Sequence, residues 1–295
     1  MKESCPLCCA VKTRLFLKGV SPPKDNAFSI TLPTYGPTEV LYRCQGCGAI
    51  FVSPLPREET LLQAYAQMQD PYYVEEMGRT KASDRILSLL ERLRGKKGRL
   101  LDVGCFYGGL LADARKRGWE VEGVEPSHWA RGKAREQFDL EIRYPSLQAA
   151  AFPDGSFDVV TAIDVLEHFL HPKEELGEMV RILRRGGLLY LSTPDVGSLA
   201  ARLLRRRWWG YRPEHLFYFS RCSLRSFLVS SGFEPVWEGF YWRSFTLPEL
   251  LRRLKGVSPT LSGVLAPLGK SAFLQRVELP VNLFDRIALV ARKGD

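Results

Sequence analysis

The stretch 99–109, RLLDVGCFYGG, joins an apolar strand-like run to an aspartate, Asp102, and to a turn rich in glycine. A helical pattern begins at Leu110 and is closed by Gly118. In doubly wound sheets, ligands bind at the carboxyl ends of the strands, where glycines let the backbone come close. The turn lacks the G-x-G-x-x-G spacing of a dinucleotide site. The stretch therefore predicts an α/β fold that binds another kind of ligand.

Strand-like and helical patterns continue to alternate beyond this stretch. The predicted strands are 99–103, 119–124, 140–143, 157–163, 187–193, 233–241 and 283–292. The predicted helices are 83–94, 110–117, 127–137, 174–184 and 223–231. Strands that alternate with helices at this spacing indicate a mostly parallel sheet with helices on both faces.

Composition limits the class of protein. With 45% hydrophobic and 25% charged residues in 295, the chain is globular and not largely disordered. It has no apolar run of the roughly 18 residues that cross a bilayer, and its start lacks the apolar core of a signal peptide. We therefore expect a cytoplasmic protein without a transmembrane segment, whose seven cysteines are metal ligands or free thiols.

The net charge of +9 is concentrated in the last third of the chain, where residues 200–295 hold 16 basic and 7 acidic side chains. Such a surplus indicates an acidic partner, which could be an anionic small molecule, a nucleic acid or an anionic membrane surface. A solvated basic face that aids solubility is the alternative interpretation.

Further motifs follow the glycine turn in a fixed order. They are Glu125 after the second strand, FPDGSFD at 152–158, DVLEH at 164–168, LRRGG at 183–187 and STPD at 192–195. Over about residues 83–240 the chain resembles the class I S-adenosylmethionine-dependent methyltransferases, whose motifs occur in this order and spacing. The resemblance implies a Rossmann-like, doubly wound α/β fold with a mostly parallel sheet, and methyl transfer from S-adenosyl-L-methionine.

The same resemblance implies a set of cofactor-binding residues: Asp102, Gly104, Cys105, Phe106, Gly108, Glu125, Ser146, Leu147 and Asp164. Asp102 and the glycine backbone would hold the methionyl part of the cofactor. Glu125 would accept the ribose hydroxyls, and Ser146 and Leu147 would edge the adenine. Asp164 would face the methionine end. The alternative is that Asp102 and Glu125 are only turn residues at strand ends.

Phe106 departs from the family pattern, because it stands where these enzymes usually have a second glycine. Its ring is expected either to crowd the cofactor or to lie near the sulfonium as a cation–π neighbour. This departure also motivates a third interpretation, in which the fold is kept but catalysis is lost.

Two Cys-x-x-Cys pairs near the start of the chain predict a structural zinc site with the ligands Cys5, Cys8, Cys44 and Cys47. Cys9 follows the first pair where a glycine would help, so it could replace Cys8 as ligand. The arrangement resembles the small zinc ribbons that precede some bacterial methyltransferases of polysaccharide and natural-product pathways. A metal-free ribbon is the alternative.

Two histidines are candidate general bases for an acceptor that must lose a proton, His168 after the fourth strand and His215 in an aromatic run after the fifth. The alternative for both is packing against the sheet. Arg205, Arg206 and Arg207 stand beside Trp208 and Trp209. We interpret this basic aromatic insert as a lid that clamps an anionic, ring-bearing acceptor.

These patterns divide the chain into a zinc-ribbon-like module at 1–56, a helical linker or lid at 57–98 and a methyltransferase domain at 99–295. The last contains the basic aromatic insert near 200–220 and a helical insert near 246–280. We expect methyl transfer to a small or carrier-linked metabolite, such as a sugar or a polyketide-like ring. An RNA methyltransferase and a non-catalytic cofactor-binding module are the alternatives, and the oligomeric state stays open.

Overall fold

The computed structural model describes residues 4–19, 39–69, 82–241, 243–246, 278–281 and 284–294, together with positions 251, 260 and 263. Its strands are β1 (Thr13–Leu17), β2 (Val40–Cys44), β3 (Ile50–Ser53), β4 (Arg99–Val103), β5 (Glu120–Val124), β6 (Phe157–Ile163), β7 (Leu183–Pro194), β8 (Phe217–Tyr218), β9 (Phe233–Phe240), β10 (Arg243–Thr246), β11 (Glu278–Val281) and β12 (Arg286–Lys293).

Its helices are α1 (Glu58–Ala66), α2 (Ala82–Arg94), α3 (Gly109–Lys116), α4 (His128–Phe138), α5 (Leu147–Ala150), α6 (Pro172–Ile182), α7 (Leu199–Leu204) and α8 (Arg221–Ser230). Single 3-10 turns cover Leu166–His168 and Arg205–Arg207. None of the helices in these ranges combines the length and the apolar character that a bilayer crossing requires.

The central sheet has the strand order β5-β4-β6-β7-β12-β9. The neighbouring strands β5, β4, β6 and β7 are parallel to one another. In contrast, β12 runs antiparallel to both of its neighbours, β7 and β9. Because β4 lies between β5 and β6, the chain winds outward from it in both directions, which places the switch point of the sheet beside the glycine turn. The predicted mostly parallel, Rossmann-like α/β fold is confirmed.

Alternate residues of the parallel strands feed two separate cores. Leu100 and Val159 pack with α2 and α3 on one face of the sheet. Leu101 and Val160 pack with α6 and α8 on the other face. Strands that are buried on both faces have to be apolar throughout, which explains the continuous hydrophobic runs of β4 and β6.

The N-terminal residues form a second, antiparallel sheet with the order β1-β2-β3-β8. Its last strand comes from residues far along the chain: Ile50 pairs with Tyr218 and Phe51 with Phe217. Cys44 and Phe51 also belong to the core cluster that covers one face of the central sheet. The N-terminal module is therefore continuous, in its hydrogen bonds and in its core, with the chain that follows β7.

Two sequence expectations differ from the structure. The strand predicted at 140–143 is absent: Leu140 and Ile142 are buried beside α3 and α4, and only Tyr144 makes a single parallel bridge, to Val124 of β5. The alternation of apolar and polar residues at 140–143 therefore comes from an extended segment that packs on helices and does not pair with a neighbouring strand. Most of the helical insert predicted near 246–280 lies outside the described residues, although positions 278–280 of it belong to β11, which pairs with β10.

Candidate active site

Asp102 ends β4 and lies beneath the glycine turn. It is 5% exposed, and one carboxylate oxygen accepts a hydrogen bond from the hydroxyl of Thr161 on the neighbouring strand, at 2.6 Å. Burial raises the pKa of Asp102 to about 7, against the lowering effect of that hydroxyl. A buried carboxyl of this kind favours a cationic neighbour, because a cation would restore its charged form.

The turn needs two of its glycines for steric reasons. Gly104 has a φ of +68°, and a Cβ atom on it would lie 2.5 Å from a methyl carbon of Val165. Gly108 has a φ of +81°, and its Cβ would meet Leu140 at 2.9 Å. Both positions combine left-handed backbone with close packing, so an L side chain does not fit there. The result is a tight loop at the carboxyl end of β4, in which the N–H groups of Gly104 and Cys105 donate to the carbonyl of Val124.

Glu125 follows β5 and holds this loop in place. One of its carboxylate oxygens accepts the backbone N–H of Phe106 at 2.9 Å, and the other accepts that of Ser127 at 2.8 Å. The side chain is 4% exposed, and burial raises its pKa to about 7 although both N–H groups lower it. Glu125 thus joins the glycine turn to the start of α4.

Phe106 occupies a position that would suit glycine, since its φ is +49°. Its ring contacts Tyr107 and Trp129, at centroid distances of 5.7 and 5.9 Å. Both rings belong to a cluster with Met68, just beyond α1. The ring is thus packed among aromatic side chains at the mouth of the loop, and the hydroxyl of Ser127 donates to the carbonyl of Met68 at 2.7 Å.

The remaining residues of the predicted cofactor set lie at the same edge or directly behind it. Cys105 is buried, and its backbone N–H donates to the Val124 carbonyl of β5. Ser146 caps α5 through its hydroxyl, which accepts from the backbone of Ala149 at 3.2 Å. Leu147 is buried in the main core. Their roles toward a cofactor stay predictions.

Asp164 lies at the end of β6 with a φ of +53° and accepts a hydrogen bond from Ser192 at 3.1 Å. Its other oxygen forms an ion pair with Arg286 of β12. No sequence pattern indicates this partner, because Arg286 is one of many basic residues in the last third and lies 122 positions from Asp164. The pairing neutralises the carboxylate that we expected to face the methionine end.

His168 and His215 are brought together, with ring centroids 4.8 Å apart and planes at 87°. The Nδ1 of His215 donates to the carbonyl of Gly210 at 2.9 Å, which leaves its Nε2 as the nitrogen with a lone pair. The Nδ1 of His168 lies 3.1 Å from the carbonyl of Glu214 and 2.8 Å from the hydroxyl of Tyr65. The backbone N–H of Leu216 donates to the carbonyl of Glu167 and ties both segments together.

Burial of both imidazoles favours their neutral form. Burial lowers the pKa of His215 well below 6.5, and the neighbouring His168 and Arg212 lower it further. Burial also lowers the pKa of His168. Glu167 lies beside them, and its pKa is raised to about 8, first by burial and then by Asp164. Ligand atoms of Glu167, His168 and His215 lie within 4.8 Å of one another, so this group also has the donor atoms of a metal site.

Sequence reasoning missed Tyr65, although it lies in the predicted linker helix. The helix α1 carries this side chain over the carboxyl edge of the sheet, where its ring meets His168 edge-on at 6.0 Å. A tyrosine on an amphipathic helix has no signal that separates a site residue from a core residue. The 57–98 segment therefore contributes directly to the candidate site.

The predicted aromatic clamp is wrong in its tryptophans. Trp208 is 0% exposed and packs edge-on against Tyr211 at 5.1 Å, and the indole N–H of Trp209 donates to Asp285. The 3-10 turn of Arg205–Arg207 is followed by an extended residue, Trp208, whose side chain lies in the core. All three arginines of the turn are exposed.

The four predicted zinc ligands form one cluster. The Sγ atoms of Cys5 and Cys47 are 3.7 Å apart, those of Cys8 and Cys44 are 3.5 Å apart, and all four lie within 4.8 Å of one another. Zinc–sulfur bonds of about 2.3 Å at tetrahedral angles need sulfurs about 3.8 Å apart. The donor set therefore fits zinc.

The backbone around the cysteines also suits a zinc site. Cys44 Sγ accepts the N–H groups of Gly46 and Cys47, at 3.2 and 3.4 Å. Gly48 has a φ of +77° after the second pair, and Cys9 takes the same left-handed conformation, at +58°, after the first. Cys9 is exposed and outside the cluster, so Cys8 is the residue placed for ligation.

Comparison with known proteins agrees with this geometry. Residues 73–238, more than half of the chain, match the family model described as a methyltransferase domain. A ubiquinone biosynthesis O-methyltransferase of Azoarcus sp. (strain BH72) is 38% identical over 109 residues, which are 34% of this chain and 45% of that protein. The corresponding enzyme of Methylococcus capsulatus is 36% identical over 119 residues, 38% of this chain and 48% of that protein. The chain thus spans about half the length of these curated relatives.

A solved structure shows the same fold. It is the Burkholderia thailandensis 1,6-didemethyltoxoflavin-N1-methyltransferase with bound 1,6-didemethyltoxoflavin and S-adenosylhomocysteine, with a TM-score of 0.50 and 16% sequence identity. The match covers 86% of this chain and 99% of that one. Fold, motif order and the match over residues 73–238 agree, and the chain belongs to the methyltransferase-domain family.

Proposed function

We propose that the protein transfers a methyl group from S-adenosylmethionine to a small acceptor. The observation that carries this proposal is the meeting of two buried carboxyls, Asp102 and Glu125, with a tight glycine turn at the carboxyl edge of the sheet. Both carboxyls have a pKa of about 7, which a cationic ligand would lower. S-adenosylmethionine carries a sulfonium, an ammonium and a ribose diol, which suit such a site.

The roles of the residues follow from these positions. Asp102 and the backbone of the glycine turn would hold the methionyl part, and Glu125 would accept the ribose hydroxyls while it keeps the turn in place. The bound cofactor supplies an electrophilic methyl group. This transfer needs in-line alignment of the acceptor, so positioning provides much of the rate.

An oxygen or nitrogen acceptor also has to lose a proton. His215 is the better placed base, because its Nδ1–H is fixed on a backbone carbonyl and its Nε2 therefore carries the lone pair. His168 lies against it and would orient the ring or take the proton in its place. Tyr65 caps this pair from α1.

The acceptor class is proposed from the relatives and from the charge of the chain. The named relatives act in ubiquinone biosynthesis, and the solved neighbour holds 1,6-didemethyltoxoflavin, which supports a small molecule here. The basic last third supports an anionic one. We propose a sugar or polyketide-like ring, free or on a carrier, as the acceptor.

Two further features belong to this proposal. We propose that Cys5, Cys8, Cys44 and Cys47 hold a structural zinc, since a closed four-cysteine site has no open position for catalysis. None of the seven cysteines forms a disulfide, which supports a reducing, cytoplasmic compartment. The boundaries at residues 56 and 98 remain part of the proposal.

A transfer assay with methyl-labelled S-adenosylmethionine tests the function. Its panel should contain nucleotide sugars, phenolic and quinol rings, coenzyme A thioesters and bulk RNA. Label in a small acceptor supports the proposal. Label only in RNA, with binding that falls steeply with salt, assigns the protein to RNA methylation instead. No cofactor binding at all, or preference for a nicotinamide dinucleotide, overturns both.

Cofactor affinity should depend on pH through Asp102. Its pKa is about 7 in the folded protein, so below that pH a cationic cofactor must displace a proton, and affinity should rise with pH and level off above 7. Replacing Asp102 with asparagine keeps an acceptor for the Thr161 hydroxyl but removes the titrating carboxyl. The rise of affinity with pH should therefore become shallower, by up to about tenfold in affinity per pH unit. Calorimetric titrations between about pH 5.5 and about pH 8.5, a range that brackets the shifted pKa, measure the slope of affinity against pH. An unchanged slope in the variant would contradict the role of Asp102.

Replacing Glu125 with glutamine should weaken cofactor binding by about 10- to 150-fold. The substitution removes the charge that accepts the ribose hydroxyls and one of the two acceptors that hold the loop, and hydrogen bonds to charged groups contribute about 1.5–3 kcal/mol. Titration with S-adenosylhomocysteine measures the loss. Glu122 to glutamine, on β5 and away from the turn, is the matched control and should bind normally. Equal affinities for both variants would exclude Glu125 from the site.

A further inference from the structure

A cavity lies between the N-terminal sheet and the segment 196–220. It has a volume of 670 Å³, and we call it the arginine cleft because Arg43, Arg202 and Arg205 line it. Its other lining residues are apolar, aromatic or small and uncharged, and no acidic residue is among them. Among the described residues, therefore, three arginines line one cavity, and no acidic residue belongs to its lining.

The cleft is separate from the candidate active site. Tyr211 lines it, and behind Tyr211 stand Tyr218, at a ring distance of 5.3 Å, and then His215, at 5.9 Å from Tyr218. Tyr211 and Tyr218 are both buried, so these rings form a solid wall between the cleft and the histidine pair. A ligand in the cleft would not occupy the place of the cofactor.

Arg43 is held in a setting that an anion would improve. Its guanidinium lies over the ring of Phe16, with 4.6 Å between the carbon and the ring centroid, and its Nε is buried with no hydrogen-bond partner in the described part of the chain. Burial and the neighbouring charge of Arg14 lower the pKa of Arg43. An isolated buried donor beside a second cation is unfavourable unless a negative group pairs with it.

The other two arginines have few opposing charges nearby. Arg202 acts at a distance on Asp195, whose carboxylate also accepts the backbone N–H of Gly197 at 2.8 Å and lies 3.6 Å from Arg221. Arg205 has a φ of +49° and a ψ of −121°, an uncommon conformation for a residue with a side chain. Phe16 and Tyr211 add flat aromatic surface, while Val196 and Ala201 add an apolar floor.

We propose that the arginine cleft binds an organic phosphate, such as a nucleoside diphosphate or the phosphopantetheine arm of coenzyme A. Guanidinium forks match phosphate oxygens in pairs of hydrogen bonds, and the aromatic and apolar walls suit the base or chain that such a phosphate carries. The proposal does not depend on methyl transfer. An occupant would bridge β1, β2 and α7 and so stabilise the junction between the N-terminal sheet and the rest of the protein.

The test uses the full-length protein and three probes: uridine diphosphate, coenzyme A and inorganic pyrophosphate. Calorimetry should show saturable binding of uridine diphosphate or of coenzyme A. The probe that binds more tightly identifies the class of organic phosphate that the cleft takes. Arg43 to glutamine and Arg202 to glutamine should each weaken it by about tenfold or more. Arg206 to glutamine, which removes an exposed charge beside Arg205, is the matched control and should stay within about twofold.

Separate measurements distinguish a loss of binding in the arginine cleft from misfolding and from failure of the proposed methyl transfer. Each variant is checked for S-adenosylhomocysteine binding, which reports the other site. In the wild-type protein, a bound probe should protect Arg43 and Arg202 from an arginine-specific reagent, as mapped by mass spectrometry. If neither organic probe binds to protein that binds the cofactor product, or if pyrophosphate alone binds, the proposal is overturned. Equal losses in the Arg206 variant, or tighter and steeply salt-dependent binding of a single-stranded oligonucleotide, would also overturn it.

Discussion

Replacing Cys44 with serine is expected to abolish binding of the proposed zinc and to loosen the N-terminal sheet while the cofactor site remains. Cys44 lies in the cluster with three other thiols and also belongs to the main core. Metal binding of this kind contributes directly to folding free energy, about 10–16 kcal/mol in small zinc domains. Metal analysis should fall from about one zinc per chain to near zero, and limited proteolysis should open the segment before residue 54.

The effect should extend to catalysis because β3 pairs with β8, two residues beyond His215. We therefore expect a lower kcat together with nearly unchanged affinity for S-adenosylhomocysteine. Cys9 to serine is the matched control: it changes an exposed thiol in the same turn and should keep the metal. Loss of zinc in the Cys9 variant would mean that the ligand set is wrong. Metal-free wild-type protein with a protease-resistant start would rule out the zinc site itself.

Replacing His215 with asparagine should lower kcat by about 100- to 10,000-fold, the usual contribution of a positioned base. The asparagine amide can still donate to the carbonyl of Gly210, so the fold is kept while the lone pair of Nε2 is lost. Because burial lowers the pKa of His215 below 6.5, the free base persists into mildly acidic solution, and the wild-type rate should decline only below that pH.

The acceptor found in the transfer assay serves for this measurement. His171 to asparagine is the control, since that residue is exposed at the start of α6. Cofactor affinity should be normal in both variants, which separates chemistry from binding. A wild-type kcat in the His215 variant would show that the ring only packs the site, or that His168 takes the proton.

The parts of the site that sequence could predict are those that local backbone geometry requires. The glycine turn after β4 needs left-handed backbone at Gly104 and Gly108. These positions lie within one short stretch of sequence, so the glycines can be recognised from their spacing. Glu125 was found because it ends a strand at the same sheet edge. The four cysteines were found for a similar reason, since the spacing within each pair fixes the turn that presents two sulfurs to one ion.

The parts that sequence could not predict depend on contacts between distant positions. The ion pair of Asp164 with Arg286 and the contact of Tyr65 with His168 join residues more than 100 positions apart. The strand β8 is only two residues long, too short for an alternation to show. Trp208 was misread because three arginines precede it, and a basic run does not reveal that the next side chain turns inward.

The late closure of the N-terminal sheet has a consequence for synthesis on the ribosome. β1, β2 and β3 are made first, but their partner strand follows 164 residues after Ser53. At the usual 5–20 residues per second, the ribosome needs roughly 10–30 s to reach it. During that interval the edge of β3, with the apolar side chains of Ile50 and Phe51, lacks its neighbour. Zinc captured early by the cysteines would keep this nascent sheet ordered until translation delivers β8, so metal supply during synthesis should affect the yield of folded protein.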